Sequence, residues 1–293
     1  MADDMVQERA VAFDCEGERL YGVISLPPSL ADSPPTRGVL IVVGGPQYRA
    51  GSHRQFTLLA RSLAAQGIAA MRFDYRGMGD SEGAMRDFEQ VDADLRRALD
   101  CFCAELPGLR HIALWGLCDA ASAISFYAAG DPRVGGVALL NPWVRTEGGA
   151  ARATIKHYYR ARLFEPELWN KIVRGRFDYA AALSSAWRLA RSALRPATDK
   201  SAAAPSASLP ERMRDGLARF DGRILLMLCG ADLTAQEFGD VADGDALWRR
   251  LMAERRVTRF LLPGADHTCS QRAWHEQVVG WTCDWMHGWV STA

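Results

Sequence analysis

Residues 111–120 read HIALWGLCDA: a short apolar run, then Gly116-Leu117-Cys118-Asp119-Ala120. The spacing is that of a nucleophile elbow, G-x-S-x-G, with cysteine in place of serine and alanine in place of the last glycine. An elbow needs a strand, a sharp turn and a helix, so that the nucleophile stands exposed at the carboxyl edge of a sheet. Small residues two before and two after the central position leave room for a strained backbone. The flanks agree, since 111–115 is β-rich and 120–129 has the small residues of a packed helix. A lone G-x-C-x-A arises often by chance, so the reading depends on partners further along the chain.

Two partners are present, each just past an apolar run. Residues 224–229 end in Gly230-Ala231-Asp232, and residues 258–262 end in Pro263-Gly264-Ala265-Asp266-His267. The order nucleophile, acid, histidine matches one of the known triad arrangements and differs from those of chymotrypsin and subtilisin. In that arrangement His267 takes the thiol proton, while Asp232 fixes the imidazole tautomer and stabilises the imidazolium. Asp266, next to the histidine, is expected to point elsewhere or to cap the next helix. The plainer alternative makes Asp232 a strand end and His267 a loop residue. Three such residues at three strand ends argue against it.

Upstream, Asp74-Tyr75-Arg76-Gly77-Met78-Gly79-Asp80-Ser81 resembles the D-x-R-G-x-G-x-S segment that follows the fourth strand of many α/β-hydrolases. Within that superfamily, Gly44-Gly45-Pro46-Gln47-Tyr48-Arg49, residues 73–83 and residues 115–122 are most similar to one bacterial group. That group is the smaller hydrolase associated with exosortase A systems. The resemblance implies a cytoplasmic hydrolase with an α/β-hydrolase fold: a mostly parallel, doubly wound sheet with a helical cap inserted after the sixth strand. It leaves the substrate open. The group's setting, in which acyl-activating enzymes and carrier proteins are neighbours, inclines the reading toward thioesters.

The same superfamily pattern supplies an oxyanion hole. One donor is the backbone N–H after the nucleophile, here Asp119, and the other comes from the loop after strand 39–43. Where the family commonly has His-Gly, this chain has Val43-Gly44-Gly45-Pro46. Gly45 is the expected second donor, Pro46 has no N–H to give, and Gln47 is the alternative through its backbone or side chain. Gln47 and Tyr48 are also candidates for substrate contact. A glycine-rich turn without catalytic role is the competing view, and a phosphate loop is disfavoured because no G-x-x-x-x-G-K-[ST] is present. Asp74 and Arg76 are read as loop ties rather than catalytic groups. His53 and Arg54 open a helix beside the site and fit either substrate contact or a solvated helix end.

The remaining strands and helices alternate. Strands are expected at 8–14 and 19–26 as an antiparallel pair, then at 39–43, 69–73, 111–115, 134–140, 224–229 and 258–262. Helices are expected at 54–66, 88–105, 120–129, 245–254 and 271–289, a pattern that argues for a parallel sheet covered on both faces. Trp274, Val278, Trp281, Trp285 and Trp289 recur at helical spacing. Packing on the sheet explains that stripe better than a ligand shelf. The alternation stops after Pro142. Residues 143–215 are read as the cap, helical at 151–163, 166–177 and 179–195, with a flexible linker at 196–210 rich in Ala, Ser and Pro. Residues 1–142 and 216–293 then form the core.

Composition narrows the function. A formal net charge of zero disfavours a generic nucleic-acid binder. No apolar run reaches the roughly 20 residues of a membrane span, and the acidic residues 1–9 lack the features of a signal peptide. The expected location is the cytoplasm. The seven cysteines include no C-x-x-C pair, which disfavours a zinc site and suits a reducing compartment with mostly buried thiols. Cys269, two residues past His267, is close enough in sequence to approach the site. No metal or organic cofactor is implied. The expected partner is a small acyl substrate, free or carried by a protein or by CoA, and the oligomeric state is not legible. Residues 145–195 hold eleven Lys/Arg against four acidic residues. That excess suits an anionic partner such as a phosphopantetheine arm, unless the arginines simply face water.

Overall fold

The structure, a computed structural model, describes residues 6–28, 34–144 and 207–289. Strands β1 (Gln7–Cys15) and β2 (Glu18–Leu26) pair antiparallel from Gln7 with Leu26 to Cys15 with Glu18. Their two-residue turn, Glu16-Gly17, has φ of 52° and 87°, the double positive φ that matches strand twist in tight hairpins. Six further strands complete the sheet: β3 (Arg37–Val42), β4 (Ala69–Asp74), β5 (His111–Leu117), β6 (Val134–Leu140), β7 (Arg223–Cys229) and β8 (Val257–Leu262). The sheet order is β1-β2-β4-β3-β5-β6-β7-β8. β2 joins β4 antiparallel, and every pairing from β4 to β8 is parallel.

Helices α1 (Gln55–Ala65) and α7 (Arg272–His287) cover one face, and α2 (Asp92–Glu105), α3 (Asp119–Tyr127), α4 (Leu209–Arg219), α5 (Leu233–Gly244) and α6 (Ala246–Met252) cover the other. The period-2 alternation of the strands does the sorting. Val39, Ile41, Ala113 and Trp115 meet Phe56, Leu59 and Val278, whereas Leu40, Val42 and Leu114 meet Leu95, Phe102, Ile124 and Phe238. The chain leaves β3 for β4 on one side and then crosses to β5 on the other. The carboxyl ends of β3 and β5 therefore lie at a topological switch point, where open α/β sheets bind ligands.

The tryptophan stripe is packing. Trp281 stacks on Phe260 at 4.5 Å, and Trp285 meets Trp289 edge-on at 4.8 Å. Gly136 of β6 makes room for these indoles, because a Cβ there would sit 2.4 Å from the Trp289 ring.

Two helices were not expected. α5 begins directly on Asp232, in the stretch read only as the acid's loop. α4 begins at Leu209, near the end of the stretch read as linker, behind a capping box of Ser208 and Glu211 with Pro210 in its first turn. Its Met213 and Leu217 are buried in the core, and Gly216 lies so close to α3 that a Cβ would fall 2.1 Å from the Ser125 carbonyl oxygen. The expected helix 88–105 is divided into a short turn, Phe88–Gln90, capped by Asp87, and α2. The cap helices expected at 151–163, 166–177 and 179–195 lie outside the described residues.

Candidate active site

β5 ends at Leu117 and α3 begins at Asp119, so Cys118 alone makes the turn between them. Its backbone, at φ 63° and ψ −124°, is one that residues with a Cβ rarely adopt. The surroundings impose it. The Cys118 N–H donates to the Leu140 carbonyl at 3.0 Å, and its own carbonyl accepts from Trp143 at 3.2 Å and Ala121 at 3.1 Å. Strain of this kind costs on the order of 1–3 kcal/mol and persists only where it is over-determined. Gly116 is required by contact, since a Cβ there would meet the Ile124 side chain at 2.6 Å and the Ala120 carbonyl carbon at 2.8 Å. Ala120 is buried with its methyl in the core, which is why alanine serves where the motif has glycine.

His267 and Asp232 come together as expected. His267 Nδ1 lies 2.9 Å from Asp232 Oδ2. The Asp232 carboxylate also accepts the N–H groups of Thr234 at 3.2 Å and Ala235 at 3.1 Å, so the acid doubles as the N-cap of α5. Asp232 and Cys118 together push the imidazole up to about 10, against the opposing effect of burial. The charged form of the ring is thus favoured, with Nδ1 on the carboxylate and the Cys118 side chain adding to the same upward shift.

A residue that sequence reasoning missed holds these loops together. Asn141, fully buried and at φ 47°, donates its side-chain amide to the His267 carbonyl at 3.0 Å and accepts the Cys229 N–H at 2.8 Å. One side chain thereby ties the histidine loop to the strand that carries the acid. The signal was Asn141-Pro142 at a strand end, where asparagine tolerates the left-handed region. Cys269 sits behind the same loop, buried, with its sulfur 3.4 Å from that of Cys229. Asp266 points elsewhere, binding the backbone of Thr268 and Ser270.

The loop after β3 reaches the elbow. Gly44 lies against α3's start, since a Cβ on it would come within 2.9 Å of the Ala120 nitrogen and 2.2 Å of Asp119 Oδ1. Gly45, expected as an oxyanion donor, gives its N–H at 2.9 Å to Asp119 Oδ2. Gln47 donates its backbone N–H to the Gly45 carbonyl at 2.8 Å and its side-chain amide to the Gly44 carbonyl at 2.9 Å. Tyr48 is exposed at the rim, with its hydroxyl donated to Asp80 at 2.6 Å.

Asp74 and Arg76 are loop ties. Asp74, fully buried, accepts the Arg49 N–H at 2.6 Å and pairs with its guanidinium, anchoring the far end of the Gly44–Arg49 loop. Gly79 must lack a side chain because a Cβ would sit 2.3 Å from that carboxyl group. Ser81 closes the motif, donating to the Asp74 carbonyl at 2.6 Å and accepting the Tyr21 N–H at 3.0 Å. Arg76 pairs with Asp94 at 2.8 Å. His53 and Arg54 are exposed, both in the left-handed region, where α1 begins. Among the described residues no group of three or more His, Cys, Asp or Glu is placed to hold a metal ion, and no helix is long and apolar enough to cross a membrane.

Known proteins give the same frame. No curated protein sequence matches the chain. An esterase of Pyrococcus furiosus, Pf2001, superposes with a TM-score of 0.65 at 12% identity, over 99% of this chain and 94% of that one. The esterase domain of a Rhodothermus marinus protein gives 0.59 at 20% identity, over 95% and 97%. A dienelactone hydrolase of Anabaena variabilis gives 0.59 at 14% identity, over 98% and 99%. At these identities the likeness is one of fold. Residues 39–281, from the strand before the Gly44 loop to the helix behind His267, match the Alpha/beta hydrolase family. With that match and the sheet, elbow and loop order described above, the chain belongs to the alpha/beta hydrolase family.

Proposed function

We propose that this protein cleaves an ester or thioester through an acyl-cysteine intermediate, with Cys118 as nucleophile, His267 as acid and base, and Asp232 as its orienting carboxylate. The observation that carries the reading is the Asp232–His267 hydrogen bond, with Cys118 bonded to the same imidazole from a strained elbow. The thiolate adds to the substrate carbonyl, and the carbonyl's π pair moves to oxygen. Collapse of the tetrahedral intermediate expels the alcohol or thiol, which takes its proton from the His267 imidazolium. Neutral His267 then removes a proton from water, and the hydroxide displaces Cys118 to release the acid.

A thiolate is a good leaving group and forms at lower pH than an alkoxide, so activated acyl groups suit this site better than amides. Transfer to an acceptor other than water uses the same residues, and product identity separates the two. The test is a panel of nitrophenyl esters and acyl thioesters of varied chain length, with Cys118→Ala as control. Turnover of at least one substrate that disappears in Cys118→Ala supports the reading. Equal turnover by both proteins removes it.

A further inference from the structure

The Asp119 carboxylate occupies a backbone donor expected of the oxyanion hole. Its Oδ2 holds the Gly45 N–H at 2.9 Å. The backbone N–H groups of Ala120 and of Asp119 itself also act on the carboxylate, at the N-terminal turn of α3. Of these, the Gly45 and Asp119 N–H groups are the donors expected of an oxyanion hole beside Cys118. The fit is close on the loop side, where Oδ1 packs against Gly44. That same Oδ1 is buried with no hydrogen-bond partner, so the seat suits one oxygen of the carboxylate and not the other.

We propose that the Asp119 carboxylate is a tethered occupant of the oxyanion cradle, which an acyl substrate must displace before its carbonyl oxygen can take the Gly45 and Asp119 N–H groups. The inference rests on Cys118 being the acyl-accepting nucleophile. Two negative charges cannot share the cradle, so the side chain leaves as the tetrahedral oxyanion forms. Burial and the nearby Asp87 raise the Asp119 carboxyl from its ordinary value, and the Gly45 N–H opposes that rise. Asp119 therefore sets how readily Cys118 is acylated relative to how readily it reacts where no oxyanion forms.

That distinction supplies the test. Acylation of Cys118 by p-nitrophenyl acetate builds an oxyanion, whereas alkylation by iodoacetamide displaces iodide and builds none. Removing a negative charge beside the thiolate changes both rates, so their ratio isolates the cradle. In Asp119→Ala the acylation-to-alkylation ratio is expected to rise about tenfold, less than a full oxyanion donor contributes because displacement is only part of the barrier. Asp119→Asn, which keeps an acceptor for the Gly45 N–H but no charge, should give a smaller rise. Both rates are read at Cys118 by peptide mass, and thermal melting shows which variants are folded. If only one folds, its ratio decides.

A ratio unchanged or lowered while wild-type Cys118 is acylated overturns the Asp119 assignment alone. Alkylation of Cys118 with no acylation in wild type or variants overturns the acyl-enzyme reading, and this inference with it.

Discussion

At the scale of single residues the site is organised around one shifted group. Asp232, with Cys118, pushes His267 up to about 10, well above the 6.5 of a free imidazole. The protonated ring can give a proton to a poor leaving group throughout the range below that value. For an alkyl ester, whose alkoxide must be protonated as it leaves, the alkaline fall of kcat/KM should come near pH 10. In Asp232→Asn the largest cause of the shift is gone, so the fall should move toward neutrality and kcat should drop by roughly 10²–10⁴. A limb that stays near 10 in the variant would show that another group sets it. Cys118→Ser is expected to be a much weaker enzyme, because an alkoxide needs more base assistance than an imidazole already protonated at neutral pH can give. Rates for wild type and the serine variant on one nitrophenyl ester check this.

At the scale of elements, three strand ends and the loops after them carry the proposed chemistry, and Asn141 couples two of them. Asn141→Ala leaves the Cys229 N–H and the His267 carbonyl without partners in a buried place. Stability should fall by about 1–3 kcal/mol, and kcat should fall with KM little changed, because the histidine loop loses its tie while the rim does not. Denaturant melts and steady-state kinetics measure the two effects, and full activity in a destabilised protein would make Asn141 a packing residue only. The strands, the elbow turn and the meeting of Asp232 with His267 were legible because each rests on local signals: apolar runs, small residues, and a polar residue just past a strand. Asn141 was not, since its role depends on two loops far apart in sequence. Nor was the Asp119 side chain, because the motif specifies its backbone N–H and is silent on its carboxyl. α4 and α5 were missed for a different reason. Their start signals, Ser208-x-x-Glu211 and Asp232 as N-cap, were present but were absorbed into a linker and a catalytic role.

At the scale of the whole molecule, the doubly wound sheet brings the ends of β3 and β5 together at its switch point and sets the acid and histidine loops beside them. The sequence between them, residues 145–195, carries eleven basic residues against four acidic in a chain of zero net charge. If that segment attracts an anionic carrier, kcat/KM for a CoA thioester should fall steeply as salt is raised, while a neutral nitrophenyl ester is barely affected. Charge reversal at Arg160, Arg162, Arg174 and Arg176 should reproduce the selective loss, and equal effects on both substrates would point to a small neutral ester. All of this depends on one covalent bond. The most direct measurement is to mix the protein with a nitrophenyl ester, quench within the first turnover, and locate the acyl group by peptide mass. The account predicts an acyl mass on the Cys118 peptide that appears with the nitrophenolate burst and persists longer in His267→Ala. Turnover with no acyl group on Cys118 at any time, or an acyl group on another residue that turns over at the enzymatic rate, would contradict it.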